Sequence, residues 1–242
     1  MPVLTMPEGT PSALVLYTTD KQATVDFFSS ALGYGLDERA EGAFLTLESI
    51  PIATVVEADF NAWSVGFTVG DLADAHEQVT RAGGQVLSDT QCLDPAGVPF
   101  SLLTGEHFFA VGEPGTPVWF EYAGAQPEVD FYAEMFGWVI DSQDSAIHVA
   151  YKDGGAIAWF WQIDAEPHNN WVVYFGVEDL AATLAGIDPS LIVQQPQESF
   201  LGPTAVVRTP AGHTLGLAEV PFQDVEEETI HESDDVFGGD KD

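Results

Sequence analysis

Basic residues are scarce in this chain: six Lys and Arg stand against 39 Asp and Glu in 242 residues, a formal net charge of −33 at pH 7. A surface of that sign repels phosphate backbones and anionic lipid, which argues against nucleic-acid and membrane partners and against highly anionic substrates. Arg39, Arg81 and Arg208 are scattered and suggest no local basic pocket. The acidic surface reads most simply as a solubilising one. Cysteine is nearly absent as well. Cys92 is the single one, so no internal disulfide can form, and "DTQCLDP" sets no base beside it. Also missing is any uncharged apolar stretch of membrane-spanning length. The opening "MPVLTMPEGTP" has neither the basic residues nor the apolar run of a signal peptide. A soluble, cytoplasmic protein is expected.

What is present points to a globular chain that says things twice. Hydrophobic residues make up 45% and aromatics 12%, and the length allows two cores. "VDFFSSALGY" from Val25 returns as "VDFYAEMFGW" from Val129; "VGDLADAHEQV" from Val69 returns as "VEDLAATLAGI" from Val177; "DPAG" at Asp94 returns as "TPAG" at Thr209. Three landmarks in the same order mean tandem domains. The junction lies in "TGEHFFAVGEPGTP", where Gly and Pro punctuate the chain. The expected units are residues 1–112, residues 113–221 and an acidic, aromatic-poor tail over 222–242 that is expected to be disordered.

Each copy reads as strand–helix–strands, twice over. Alternating runs ("SALVLYT", "PVWFEYA") are strands. The helix that follows puts Val25, Phe28 and Leu32, or Val129, Tyr132 and Phe136, on one face. Asp71 and Asp179 are in place to cap the second helices, and "RAGGQVL" supplies a glycine stop. Phe131, Tyr132 and Trp138 are core residues by default. Relative to the second copy, the first is shorter between its "DL" helix start and its "P-A-G" turn, enough to lose most of a strand.

A tandem pair of βαβββ modules, with a "DFY…FGW" helix end and a late "P-x-G" turn, resembles the vicinal oxygen chelate superfamily, the group of glyoxalases, bleomycin-resistance proteins and extradiol dioxygenases. The linker "GEHFFAVGEPGTPVWFEY" is similar to that of two-domain glyoxalase-like proteins of actinobacteria. The resemblance implies an α+β fold: two tandem domains, each a pair of βαβββ modules forming a curled mixed sheet with helices on its convex side. The concave side would hold the ligand or metal.

The resemblance also implies a divalent metal on that face, bound by His or Gln and Glu from the first and last strands of each module. The matching positions hold Ala13, Ser64 and Ser101 in the first copy, with Thr54 near the remaining slot, and Trp119, Val172 and Gly216 in the second, with Trp159 near it. Neither copy keeps the expected set. His213 lies in the late turn, His107 and His168 in connections, His76 on a helix and His231 in the tail, while His148 alternates with Ile147 and Val149 and is expected to point into the cavity. No cofactor is expected, a divalent metal being the alternative.

Trp119 and Glu121 share one face of their strand, as do Val172 and Tyr174. With His148 they form an expected aromatic-walled pocket, and Trp119, Glu121, His148 and Tyr174 are the candidate ligand-binding residues. The alternative leaves Glu121 exposed at a strand edge and Trp119 as filler. Trp159 and Trp161 alternate with Phe160, which suits a dry strand or stacking on a flat ligand. The presumed inward positions of the first copy are small and uncharged, so that copy reads as structural. The expected function is metal-independent binding of a small apolar or aromatic molecule in the second domain. A metal-dependent lyase or dioxygenase and a partner-binding protein without ligand are the alternatives. Fusion of two copies is compatible with a monomer.

Overall fold

The computed structural model describes residues 3–40, 42–142, 146–163 and 169–220. The tail expected over 222–242, His231 within it, and His168 lie outside the described residues. Four modules follow one another. The first is β2 (Pro11–Thr18), α1 (Lys21–Leu32), β3 (Gly35–Arg39), β4 (Gly42–Leu47) and β5 (Ile50–Glu57), preceded by the short β1 (Val3–Thr5). The second is β6 (Ala62–Thr68), α2 (Leu72–Arg81), β7 (Gln85–Val86), β8 (Gln91–Leu93) and β9 (Pro99–Leu103). After a linker strand, β10 (Phe108–Ala110), the third holds β11 (Pro117–Gly124), α3 (Val129–Phe136), β12 (Val139–Ser142), β13 (Ile147–Lys152) and β14 (Gly155–Gln162). The fourth holds β15 (Asn170–Val177), α4 (Leu180–Ala185), β16 (Ile192–Ser199), β17 (Gly202–Arg208) and β18 (Thr214–Glu219).

Local chemistry sets the helix ends. The carboxylates of Asp20, Asp71 and Asp179 accept hydrogen bonds from the N–H groups of Ala23, Asp74 and Ala182. Gly33 and Gly137 end α1 and α3 in the left-handed region, at φ 72° and 64°, where a side chain is strained. None of the described helices is long and apolar enough to cross a membrane.

Each domain is a curled mixed sheet of eight strands, ordered β3-β4-β5-β2-β6-β9-β8-β7 and β12-β13-β14-β11-β15-β18-β17-β16. The central four strands of each repeat the same pairing. β2 runs parallel to β5 and antiparallel to β6, which runs parallel to β9; β11, β14, β15 and β18 do the same. The shorter first copy therefore keeps its strand count and gives up strand length: β7 and β8 have two and three residues where β16 and β17 have eight and seven.

One core serves both domains. The helix-side residues of the two sheets, among them Leu16, Phe67, Phe100, Tyr122, Phe160 and Phe175, form a single buried cluster. β6 packs on β15, α1 on α4 and α2 on α3. Phe67 sits 6.0 Å from Trp171, and Trp63 5.7 Å from Phe175, between ring centres.

Reciprocal hydrogen bonds tie the halves together. Trp138 Nε1 donates to the Gly9 carbonyl at 2.6 Å, and Tyr34 Oη to the Gly115 carbonyl at 2.8 Å. The two "P-A-G" turns also cross over. Asp94, buried in the first domain's turn, accepts from Tyr122 and Tyr132 of the second, while keeping the Ala96 and Val98 N–H groups of its own turn. His213, buried in the other turn, reaches the Tyr17 carbonyl at 2.7 Å through Nε2. A carbonyl only accepts, so Nε2 carries the proton and Nδ1 faces the Thr209 hydroxyl at 3.0 Å. Burial holds this imidazole below its usual pKa.

Candidate functional site

The face of each sheet turned away from the shared core is where the two domains part company. Strand alternation in the second domain sends Phe120 and Tyr122 into the core and leaves Trp119 and Ala123 on the other face; on β15 it separates Val173 and Phe175 from Val172 and Tyr174. Register then brings the outer residues together. Trp119 pairs with Tyr174, Glu121 with Val172 on one side and Trp159 on the other, and Tyr174 with Gly216. Trp119, Ala123, Val172, Tyr174 and Ala218 make a second buried cluster, joined at its rim by Trp159, Leu201 and Val206.

Glu121 is a buried carboxylate of this face. Its Oε2 accepts from the Tyr174 phenol at 3.1 Å, and only 7% of the residue is exposed. Desolvation raises its pKa to about 7, against the opposing effect of the Tyr174 hydrogen bond. Tyr174 is itself pushed far upward by burial and by the charge of Glu121, so it remains a donor. Its ring lies where Gly216 has no side chain: a Cβ there would stand 2.1 Å from Tyr174 Cδ1. The glycine makes the room.

Aromatic rings wall the site. The rings of Trp119 and Trp159 meet edge to face at 6.0 Å, and Phe200 lies 4.8 Å from the first and 4.2 Å from the second. Phe200 sits at the tip of the β16–β17 hairpin and is 53% exposed. Among the described residues the buried Trp119 indole N–H has no hydrogen-bond partner, an uncompensated donor of the kind that ordinarily costs about 1–3 kcal/mol.

The structure thus brings together three of the four residues named from the sequence: Trp119, Glu121 and Tyr174. His148 is a correction. It pairs with Phe160 and shares parity with Ala150, both core residues, so it sits on the helix side of β13, where its Nδ1 meets the Ser142 hydroxyl at 2.8 Å. Val149, not His148, pairs with Trp159 on the outer face. Sequence reading missed Phe200. An aromatic two residues before a Gly-Pro pair was the available signal, but its partner strand is far away in the chain.

The first domain offers less. Its matching positions hold Ala13, Val15, Ser64 and Ser101, with the two serine hydroxyls 3.0 Å apart. A groove of about 1030 Å³ between the domains is bordered by both "P-A-G" turns, and Trp119, Glu121 and Tyr174 do not line it.

A divalent metal does not fit these donors. The central positions of the hollow are occupied by Glu121, Trp159, Tyr174 and Gly216, a single carboxylate beside a phenol held protonated. Among the described residues no three His, Cys, Asp or Glu side chains converge anywhere.

Comparison with known proteins agrees with this architecture. No family model matches the chain. It is 27% identical over 241 residues to CFP32 of Mycobacterium tuberculosis, a protein provisionally named a glyoxylase, and the match spans 85% of this chain and 92% of that one. Among solved structures it is similar to the Mn(II)-bound glyoxalase of Novosphingobium aromaticivorans, at TM-score 0.65 and 14% identity, covering 91% of this chain and 85% of the other. It is also similar to the 2,3-dioxygenase LapB of Pseudomonas sp. KL28, at TM-score 0.59 and 14% identity, covering 88% and 92%. The chain has the tandem vicinal oxygen chelate fold shared by glyoxalases and extradiol dioxygenases.

Proposed function

We propose that the second domain binds a small, largely apolar or aromatic molecule in its hollow without a resident metal. The observation that carries this reading is the company Glu121 and Trp119 keep. Both are more than nine-tenths buried, and both carry polar atoms in an aromatic cluster outside the shared core. Packing alone favours apolar side chains there, because burying an ionisable group is costly. Apolar walls with a few convergent polar groups are the usual make-up of a ligand site. Glu121, poised near neutrality, is also able to exchange a proton with a bound molecule. The same reading has the chain acting as a cytoplasmic monomer, with no nucleic-acid or membrane partner.

A metal-dependent lyase or dioxygenase is the second reading, favoured by the names of the relatives. The donor set of the hollow supports the first. A melting screen against small molecules tests it, since a ligand that binds the folded chain raises its apparent stability. Trp119→Ala abolishes the shift if the hollow is the site; an unchanged shift places the site elsewhere.

A further inference from the structure

We infer that the ligand of the second domain's hollow is an organic cation, a quaternary or protonated amine that also carries an oxygen acceptor. The inference rests on the hollow being the ligand site, and it concerns the charge that site selects.

Among the described residues Glu121 has no counter-ion. The chain has six Lys and Arg in all, and those described are placed elsewhere. Lys21 pairs with Glu38, Arg39 with Asp37, and Arg81 approaches Glu134. Lys152 donates to the Phe136 carbonyl, and Arg208 borders the groove between the domains. Lys241 lies outside the described residues. The titratable group facing Glu121 is Tyr174 from β15; β14 presents Trp159, β18 presents Gly216, and the hairpin tip presents Phe200 and Leu201.

Rings neighbour that carboxylate: Tyr174 donates to it, Trp159 is its partner on β14 and Trp119 precedes it by two residues on β11. Trp119, Trp159, Phe200 and Tyr174 offer π-faces, which attract cations and are the usual material of quaternary-ammonium cages. An anion would meet no positive side chain of the described residues here and a net charge of −33, which repels it at long range and draws cations in. The buried Trp119 N–H needs an acceptor, which an ammonium centre alone lacks and a hydroxyl or carbonyl on the same molecule supplies. Phe200, half exposed at the hairpin tip, covers Trp159 and is the ring such a ligand would displace.

Calorimetric titration of the full chain at pH 8 tests this with choline and its uncharged isostere, in which carbon replaces nitrogen. Choline is expected to bind about tenfold more tightly than the isostere, and that preference to collapse to within about threefold in Glu121→Gln. Trp159→Leu should weaken choline more than the isostere. Equal binding of the two probes to the native chain overturns the cation inference and leaves the hollow standing as a ligand site. A choline preference that survives Glu121→Gln removes the carboxylate from the recognition of the charge and overturns the inference too. Failure of both probes to bind overturns the inference, while the melting screen with Trp119→Ala still judges the hollow independently.

Discussion

Asp94 of the first domain accepts a hydrogen bond from the Tyr122 phenol of the second at 2.5 Å. Tyr132 adds another at 3.2 Å, and Trp171 Nε1 donates in turn to Tyr132. Two tyrosine hydroxyls and two turn amides therefore converge on one buried carboxylate, whose pKa burial nevertheless moves upward. Asp94→Ala strands these donors in the interface. The expected loss is about 3 kcal/mol or more, measured by urea denaturation, with Asp94→Asn losing less because it keeps an acceptor for the turn. A loss within about 0.5 kcal/mol for Asp94→Ala, the range of an ordinary surface change, would remove the carboxylate from its place in holding the domains together.

The burial of Glu121 gives stability a definite pH dependence. With its folded-state pKa raised from 4.5 to about 7, the folded chain keeps a proton that the unfolded chain releases as pH climbs through that window. The contribution of Glu121 to stability therefore falls from pH 4.5 to about 7 and stays low above it, by up to about 3 kcal/mol. Glu121→Gln removes the fall. The variant is expected to match the native chain near pH 4 and to exceed it at pH 8, read from paired denaturation curves. A difference that does not change with pH would show that Glu121 is solvated.

Gly216→Ala probes the floor of the hollow. The new Cβ would lie 2.1 Å from Tyr174 Cδ1 and 2.3 Å from its Cγ, too close to the ring's root for a small rotation to relieve. Overpacking of this kind costs about 1–3 kcal/mol. Displacing Tyr174 also removes the hydrogen bond that holds the Glu121 pKa down. The midpoint of the Glu121 titration should move upward in the variant, followed by carboxyl-resolved NMR; an unmoved midpoint would separate the two side chains.

Much of this was legible in the sequence because it is local. Repeated phrases set the four modules, and a period of two put Trp119 with Glu121 and Val172 with Tyr174 on shared faces. What joins the domains was hidden. The doubled phrase ends in Tyr34 and Trp138, and each reaches the carbonyl of the glycine that precedes the opposite domain's Thr-Pro. Tyr132 and Trp138 were legible as core, but their polar atoms meet partners far off in the chain. His148 failed for a different reason. Apolar neighbours flank it on both sides, so alternation alone left its face open until the pairing with Phe160 decided it. Trp159 was ambiguous on a strand with aromatics on both faces, and only the register against Glu121 puts it at the rim.

The most direct measurement is calorimetric titration of the metal-stripped chain with Mn(II) and Zn(II), repeated on Glu121→Gln. The hollow described here predicts only weak, non-stoichiometric heats, the same for both proteins, from a chain of net charge −33. One tight equivalent that disappears in Glu121→Gln would contradict it.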